Sequence, residues 1–115
     1  MAKKSDATEQ TGERTTAKPR IFDASLRADG GVVKGSEITE TEAIGQRQAQ
    51  REVVVCGNDP DSNSELAKQI EHAASGSYVR HGKHRPNGLN HYQPLARPPA
   101  GHTFYETKNS RARKK

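Results

Sequence analysis

Four of the five histidines lie within 22 residues, in the C-terminal third of the chain: His81, His84, His91 and His102. Free imidazole has a pKa near 6.5, so at physiological pH one copy can start a reaction neutral and another can start protonated. Two such groups can act as general base and general acid in the cleavage of an RNA phosphodiester, without a metal ion. The cluster therefore predicts acid–base chemistry.

His91 and His102 form the best catalytic pair, because each lies on a predicted β-strand, over 89–93 and 102–106. If these strands form an antiparallel hairpin, the numbers of directly opposed residues sum to a constant of about 195. Alternation along the strands then brings both histidines and Glu106 to one face of the sheet. Glu106 is the third candidate catalytic residue, able to orient a histidine, although a strand-end salt bridge is an equal alternative.

Other polar residues near the histidines are candidates for binding nucleic acid. Arginine and lysine neutralise phosphates and stabilise a transition-state charge, and tyrosine can stack on a base. The hairpin register puts Tyr92 and Tyr105 on the face opposite the histidines. The alternative to stacking on a base is that these two tyrosines belong to the core. The candidates are Arg80, His81, Lys83, His84, Arg85, Tyr92, Arg97 and Tyr105.

Two other interpretations of the histidines stay open. In the first, His81, His84 and His91 offer three imidazoles to a zinc ion, the number found in some open catalytic sites. Their spacing matches no specific zinc pattern, and no acid lies close in sequence to orient them. We therefore predict neither a metal nor another cofactor. In the second interpretation the histidines belong to a solvated basic loop that touches only water or phosphate.

Positive charge is concentrated at the C-terminal end. Residues 1–57 hold nine Lys/Arg and nine Asp/Glu, whereas residues 78–115 hold nine Lys/Arg and a single acid, for a net charge of +8. Such a distribution favours a polyanionic partner, and we expect nucleic acid, with RNA favoured. A membrane is not expected, because no segment has the wide apolar face of a basic interfacial helix or the ~20 apolar residues of a spanning one.

The composition divides the chain into four segments. Residues 1–20 lack leucine, isoleucine, valine and aromatic residues, so we expect a disordered leader. Residues 21–35 surround a Gly-Gly pair and predict a loose arm or a hairpin. Residues 36–107 carry the signals of a small α/β domain, and residues 108–115 predict a disordered basic tail. No signal peptide is visible, so we expect a cytoplasmic location.

Capping patterns predict two helices. Thr39-x-x-Glu42 precedes a predicted helix over 40–50, and Ser62-x-x-Glu65 precedes one over 63–75. Between them, the apolar run 53–56 predicts a buried strand that ends in the only cysteine, Cys56, which we expect to be an inert core thiol.

After residue 76 the pattern changes to short strand candidates separated by glycine and proline. Together these signals predict an α+β fold with a disordered N-terminal leader, two helices and a small three- to four-stranded, largely antiparallel sheet.

The stretch from Arg51 to Lys108 resembles the short C-terminal toxin modules of bacterial polymorphic toxin systems, which often end in a His-Tyr-x-Pro element followed by a Gly-His-x-Phe-Tyr element. The matching segments here are His81–His84, Asn90–Pro94 and Gly101–Glu106. The resemblance implies a nuclease-like effector, commonly an RNase, which is secreted by a dedicated toxin-delivery system and neutralised by an immunity protein.

We expect the chain to differ from these modules in one respect, because it begins with a methionine and no delivery segment is visible in it. A detached toxin module, a degenerate remnant and a relative that only binds are the alternatives. The sequence thus predicts a toxin-type effector that cleaves RNA, and the alternative function is that of a non-catalytic basic protein that binds RNA or DNA.

Overall fold

A computed structural model describes residues 18–83, 86–96 and 100–114. Within these ranges the chain forms two helices and seven strands. In chain order they are β1 (Arg20–Leu26), β2 (Val32–Ile38), α1 (Glu40–Gln48), β3 (Val53–Cys56), α2 (Pro60–Ser75), β4 (Val79–His81), β5 (Asn90–Gln93), β6 (Thr103–Tyr105) and β7 (Arg113–Lys114). Residues 1–17 of the predicted disordered leader lie outside the described ranges, and the prediction was wrong for Arg20, which begins β1 and pairs with Cys56.

All seven strands form one mixed sheet with the order β4-β5-β6-β3-β1-β2-β7. The pairs β3–β6 and β2–β7 are parallel, and the other neighbours are antiparallel. The prediction of a small three- to four-stranded, largely antiparallel sheet was therefore wrong. A parallel pair needs a long crossover connection, and α2 lies within the connection between β3 and β6.

The segment from residue 20 to 38 is a hairpin within the sheet, between β3 and β7, rather than a loose arm. Its turn uses Gly30, with a φ of 87°, and the Asp29 side chain accepts a hydrogen bond from the Gly31 amide at 2.8 Å. β1 lies between β2 and β3, so the hairpin provides two strands that the sequence analysis left uncertain. Charged residues interrupt its apolar pattern, which is why its strand signal was weak.

The C-terminal residues also join the sheet. Arg113 and Lys114 pair in parallel with Val33 and Lys34 of β2. The expectation that residues 108–115 form a disordered basic tail was therefore wrong for these two positions. Backbone pairing in a strand does not require apolar side chains, so composition alone did not show it.

The first helix begins as its capping pattern predicted. The Thr39 hydroxyl accepts a hydrogen bond from the Glu42 amide at 3.1 Å, and the Glu42 carboxylate accepts one from the Thr39 amide at 2.8 Å. Both bonds of the capping box are thus present, and they satisfy two amides that the helix itself leaves without partners.

The second helix begins three residues earlier than predicted. Its N-cap is Asp59, followed by Pro60 in the first turn, and its C-cap is Gly76 with a φ of 76°. The predicted capping box at Ser62 and Glu65 was wrong, because the Ser62 hydroxyl donates to the Asp59 carboxylate at 2.6 Å. Within the described residues, neither helix is both long and apolar enough to cross a membrane.

Strand alternation divides the core between the two faces of the sheet. Both helices cover one face, where Ala43, Ala67 and Ile70 pack against strand residues that include Val53 and Val55. The opposite face, which we call the histidine face, carries no helix in the described part of the chain. Its core members are Val32, Val54, Cys56, Leu89 and Phe104.

Replacing the cap that the structure shows, with Asp59→Ala, should lower the free energy of unfolding by about 1 kcal/mol, because amides at the start of α2 lose their acceptor. Glu65→Ala should change it by less than about 0.5 kcal/mol, since the one ion pair that Glu65 makes with another described residue is the exposed pair with Lys68. Urea denaturation of both variants measures the difference. A larger loss in Glu65→Ala would instead support the capping box at Ser62.

Candidate active site

The hairpin that carries the two central histidines has the predicted register. Asn90 pairs with Tyr105, His91 with Phe104, and Tyr92 with Thr103. Each pair sums to 195, so the prediction is confirmed for β5 and β6. His91 and His102 consequently share the histidine face, and their ring centroids lie 4.7 Å apart at an interplanar angle of 79°. The rings are in edge-to-face contact.

His102 is held by a carboxylate that the sequence analysis did not identify. Oε1 of Glu52 accepts from the backbone amide of His102 at 2.8 Å and lies 3.0 Å from its ring Nδ1. Because a carboxylate only accepts hydrogen bonds, this contact places the proton on Nδ1 and leaves Nε2 as the basic nitrogen. The parallel pairing of β3 with β6, which brings Glu52 beside His102, gave no signal in the sequence.

His91 is almost completely buried, with 1% of its surface exposed. Its Nδ1 lies 3.2 Å from the carbonyl oxygen of Leu89, which as an acceptor places a proton on that nitrogen. The ring also contacts Phe104, at 5.3 Å, and His81, at 5.6 Å between centroids. The ring is therefore fixed in position.

Both histidines line one pocket of about 130 Å³ on the histidine face. Its wall comes from the β1–β2 turn, from the segment before β5 and from β6. The remaining lining residues are Leu26, Gly30, Gly88, Leu89 and Phe104. Since this lining is mostly apolar, the imidazoles are the groups in the wall that can exchange protons.

Glu106 lies on the histidine face but does not orient a histidine there. It is 3% exposed, and its carboxylate accepts hydrogen bonds from the amides of Gly57 at 3.2 Å and Ala112 at 2.7 Å. It is separated from His102 by roughly 13 Å of extended chain. Its contacts instead fasten the segment that leads to β7, and the orienting contact belongs to Glu52.

Tyr92 and Tyr105 lie on the reverse face, as the register predicted, and they form part of the helix-covered core. Both are buried, and their rings stack on one another at 5.6 Å. The Arg80 guanidinium, 3.4 Å from the hydroxyl of Tyr105, is on that side too. These three predicted nucleic-acid contacts are therefore not placed near the histidine pair.

The other predicted contacts are divided between described and undescribed residues. His81 lies beside His91 on the histidine face, and Lys83 is exposed, with Nζ 3.3 Å from the Ser110 hydroxyl. His84, Arg85 and Arg97 lie outside the described residues. Among the side chains that the structure describes, no three His, Cys, Asp or Glu residues are grouped in a way that could hold a metal ion.

A basic patch on the histidine face was missed because its members come from distant parts of the sequence and meet only in the folded sheet. Arg20 and Lys34 lie over the ring of Phe22, at 5.5 and 4.8 Å from its centroid. Arg111 and Cys56 help to line the adjoining pocket of about 180 Å³. We call Arg20, Phe22, Lys34 and Arg111 the Phe22 patch. Cations around an aromatic ring suit a nucleic-acid strand.

A buried ion pair lies behind the site, on the helix-covered side. Arg47 and Glu71 both have fully buried side chains and are joined by two hydrogen bonds of 2.9 and 3.3 Å. Glu71 also accepts from the hydroxyl of Thr103, the residue after His102, at 2.8 Å. The pair thereby connects both helices to the strand that follows the catalytic candidate.

Comparison with known protein-family models, with curated proteins and with solved structures finds no match for this chain. The resemblance to toxin modules is thus not supported by a shared family, and the argument for function depends on the geometry of the site.

Cys56 provides a test of the burial on the histidine face. Burial, with a smaller contribution from the negative charge of Glu106, raises the pKa of its thiol from 9.0 to about 12. Because the thiolate is the nucleophile, alkylation of the folded protein by iodoacetamide at pH 8.5 should be at least ~100-fold slower than that of the urea-unfolded chain. Mass spectrometry follows the reaction. Equal rates would show that the thiol is exposed and reactive.

Proposed function

We propose that this chain cleaves RNA by metal-independent acid–base catalysis, with His102 as the general base and His91 as the general acid. The proposal rests on one observation: the two imidazoles contact each other at the wall of one pocket, and Glu52 holds His102 in the tautomer that a base requires. A carboxylate on Nδ1 also stabilises the imidazolium that forms when Nε2 takes a proton.

The reaction follows from these roles. Nε2 of His102 removes the proton of the ribose 2′-hydroxyl, and the 2′ oxygen forms a bond to phosphorus. The bond from phosphorus to the 5′ oxygen breaks, and protonated His91 gives its proton to that leaving oxygen. The products are a 2′,3′-cyclic phosphate and a free 5′-hydroxyl. Because the rings touch, the phosphate reaches both of them from the pocket and not from between them.

The Phe22 patch supports RNA as the substrate. Lys34 makes no ion pair within the described residues, so its ammonium can bind a phosphate without first leaving a carboxylate. Arg20, by contrast, is paired with Glu37. Phe22 and His91 lie in one row across the sheet: Phe22 pairs with Val54, Val54 with Phe104, and Phe104 with His91. Three strand spacings separate them, which is roughly 14 Å.

A toxin-type effector is the biological role that fits this chemistry. An RNase released into a competing cell would act on RNA, and the producing cell would need an immunity protein that covers the pocket. Secretion by a dedicated delivery system and the immunity partner are both part of the proposal.

The direct test is cleavage of a labelled single-stranded RNA in EDTA. The wild-type protein should produce 2′,3′-cyclic phosphate ends, and His91→Ala and His102→Ala should each lower the rate at least ~100-fold, because each removes a proton-transfer group. Glu52→Gln should lower the rate by a similar factor, since an amide no longer fixes the tautomer of His102 or stabilises its cation. Reverse-phase chromatography identifies the products.

His72→Ala is the matched control, because His72 is exposed on α2, on the other side of the sheet. It should cleave as the wild type does, and each variant should keep its circular dichroism spectrum. An oligonucleotide whose 2′-hydroxyls are all absent should stay intact. Intact RNA with strong, salt-sensitive binding would overturn the catalytic proposal and favour the nucleic-acid-binding protein.

Lys34→Gln tests the contribution of the Phe22 patch. The variant should bind RNA more weakly across all sequences, and the slope of log affinity against log salt should fall by roughly one, because one phosphate contact is lost. Lys68→Gln makes the same charge change on α2, where Lys68 pairs with Glu65, and should leave the slope unchanged. Fluorescence anisotropy at several salt concentrations provides both slopes. Equal effects of the two variants would argue against a local contact.

A further inference from the structure

Gln50 has a backbone conformation that its residue type disfavours. Its φ is 65°, and among the described residues it is the only one other than glycine with a positive φ. It lies in the turn between α1 and β3. Glycine occupies this left-handed region far more readily than a residue with a Cβ does. Such strained residues are concentrated at functional sites, and this raises the question of what the Gln50 side chain does.

The Gln50 side chain holds the segment that leads to His102. Its Oε1 accepts a hydrogen bond from the backbone amide of Ala100 at 2.7 Å. The carbonyl of Ala100 accepts from a guanidinium nitrogen of Arg47 at 3.3 Å, and the same nitrogen donates to the carbonyl of Arg51 at 3.1 Å. Both backbone polar groups of Ala100 are therefore bound by side chains of α1 and its following turn.

The residues that follow Gln50 also bind His102, because a step of two residues along the turn corresponds to a step of two residues along the segment it contacts. Gln50 binds the amide of Ala100, and Glu52 binds the amide and the ring of His102. Between them Gly101 has a φ of 97°, and a Cβ at this position would lie 2.3 Å from a guanidinium nitrogen of Arg47. Residues 100–102 are therefore held against the turn, because Gln50 binds the first of them and Glu52 binds the last.

We propose that Gln50 is a positioning residue for the catalytic pair. Its side chain sets the approach of residues 100–102 so that the His102 ring meets Glu52 on one side and His91 on the other. The inference rests on the proposed acid–base function, in which misplacing a catalytic group by about 1 Å can cost ~100-fold in rate. The left-handed backbone at Gln50 directs its side chain toward Ala100, so the unfavourable φ is linked to this hydrogen bond.

Gln50→Gly separates positioning from stability. Glycine adopts a φ of 65° without strain, which offsets the stability lost with the hydrogen bond, so the melting temperature should change little. The hydrogen bond to Ala100 is lost, so the rate of RNA cleavage should fall, on the order of tenfold. Gln50→Glu keeps an oxygen acceptor on a side chain of the same length, and it should retain most of the wild-type rate.

Gln48→Gly is the matched control, because it introduces glycine two residues earlier, at the exposed end of α1. It should lower the melting temperature and leave the rate unchanged, which is the opposite pattern. A fall in both quantities in Gln50→Gly, or an unchanged rate, would overturn the positioning role.

Nuclear magnetic resonance provides a readout that does not need catalysis. In the wild type the His102 amide and ring proton are bonded to Glu52, and the ring nitrogen shifts should report a proton on Nδ1. In Gln50→Gly these signals should move toward a mixture of tautomers, whereas in Gln50→Glu they should not. If the signals move but the wild type cleaves no RNA, the proposed function fails and the positioning contact stands. Unmoved signals in an active enzyme would overturn the positioning contact alone.

Discussion

Arg47 and Glu71 carry opposite charges in a place from which water is excluded. Removing two ions from solvent costs several kcal/mol each, and their mutual attraction offsets this only when the remaining donors and acceptors are bonded. Here they are bonded, through the carbonyls of Arg51 and Ala100 and the hydroxyl of Thr103. The requirement to satisfy this one pair fixes how α1, α2 and the start of β6 fit together.

The two faces of the sheet consequently have different roles. On the helix-covered face the ion pair and the stacked tyrosines form a rigid layer. The histidine face is held by smaller apolar contacts and remains open around His102, whose side chain is 18% exposed. A proton-transfer group needs a fixed orientation and access to substrate. His102, the proposed base, is partly exposed on the histidine face, while its neighbours Gly101 and Thr103 are buried and hold the backbone around it.

Local signals in the sequence predicted local structure. The capping box at Thr39, the two helices and the register of β5 with β6 follow from patterns of a few residues, and the structure shows all of them. The start of α2 was misjudged, because two capping residues, Asp59 and Ser62, lie three positions apart and both can accept from backbone amides.

Features that depend on distant pairing were missed. Nothing near Glu52 indicates that β3 will lie parallel to β6, and so its contact with His102 had no signature. The hairpin of β1 and β2 contains charged residues on a half-buried surface, and it is recognisable only once its neighbours in the sheet are known. The same reason explains why the Phe22 patch was missed while the charge of the C-terminal end was visible.

The pairing of Val53 with Thr103 joins residues that are 50 positions apart, and the pairing of Val33 with Arg113 joins residues 80 apart. Contacts of such long sequence separation form late, because the chain must lose the entropy of closing large loops before they contribute stability. Helices and hairpins can appear early, yet none of them contains both Glu52 and His102. The contact between Glu52 and His102 therefore forms only once β3 pairs with β6, and a partly folded chain could bring the two imidazoles together without the carboxylate that orients His102.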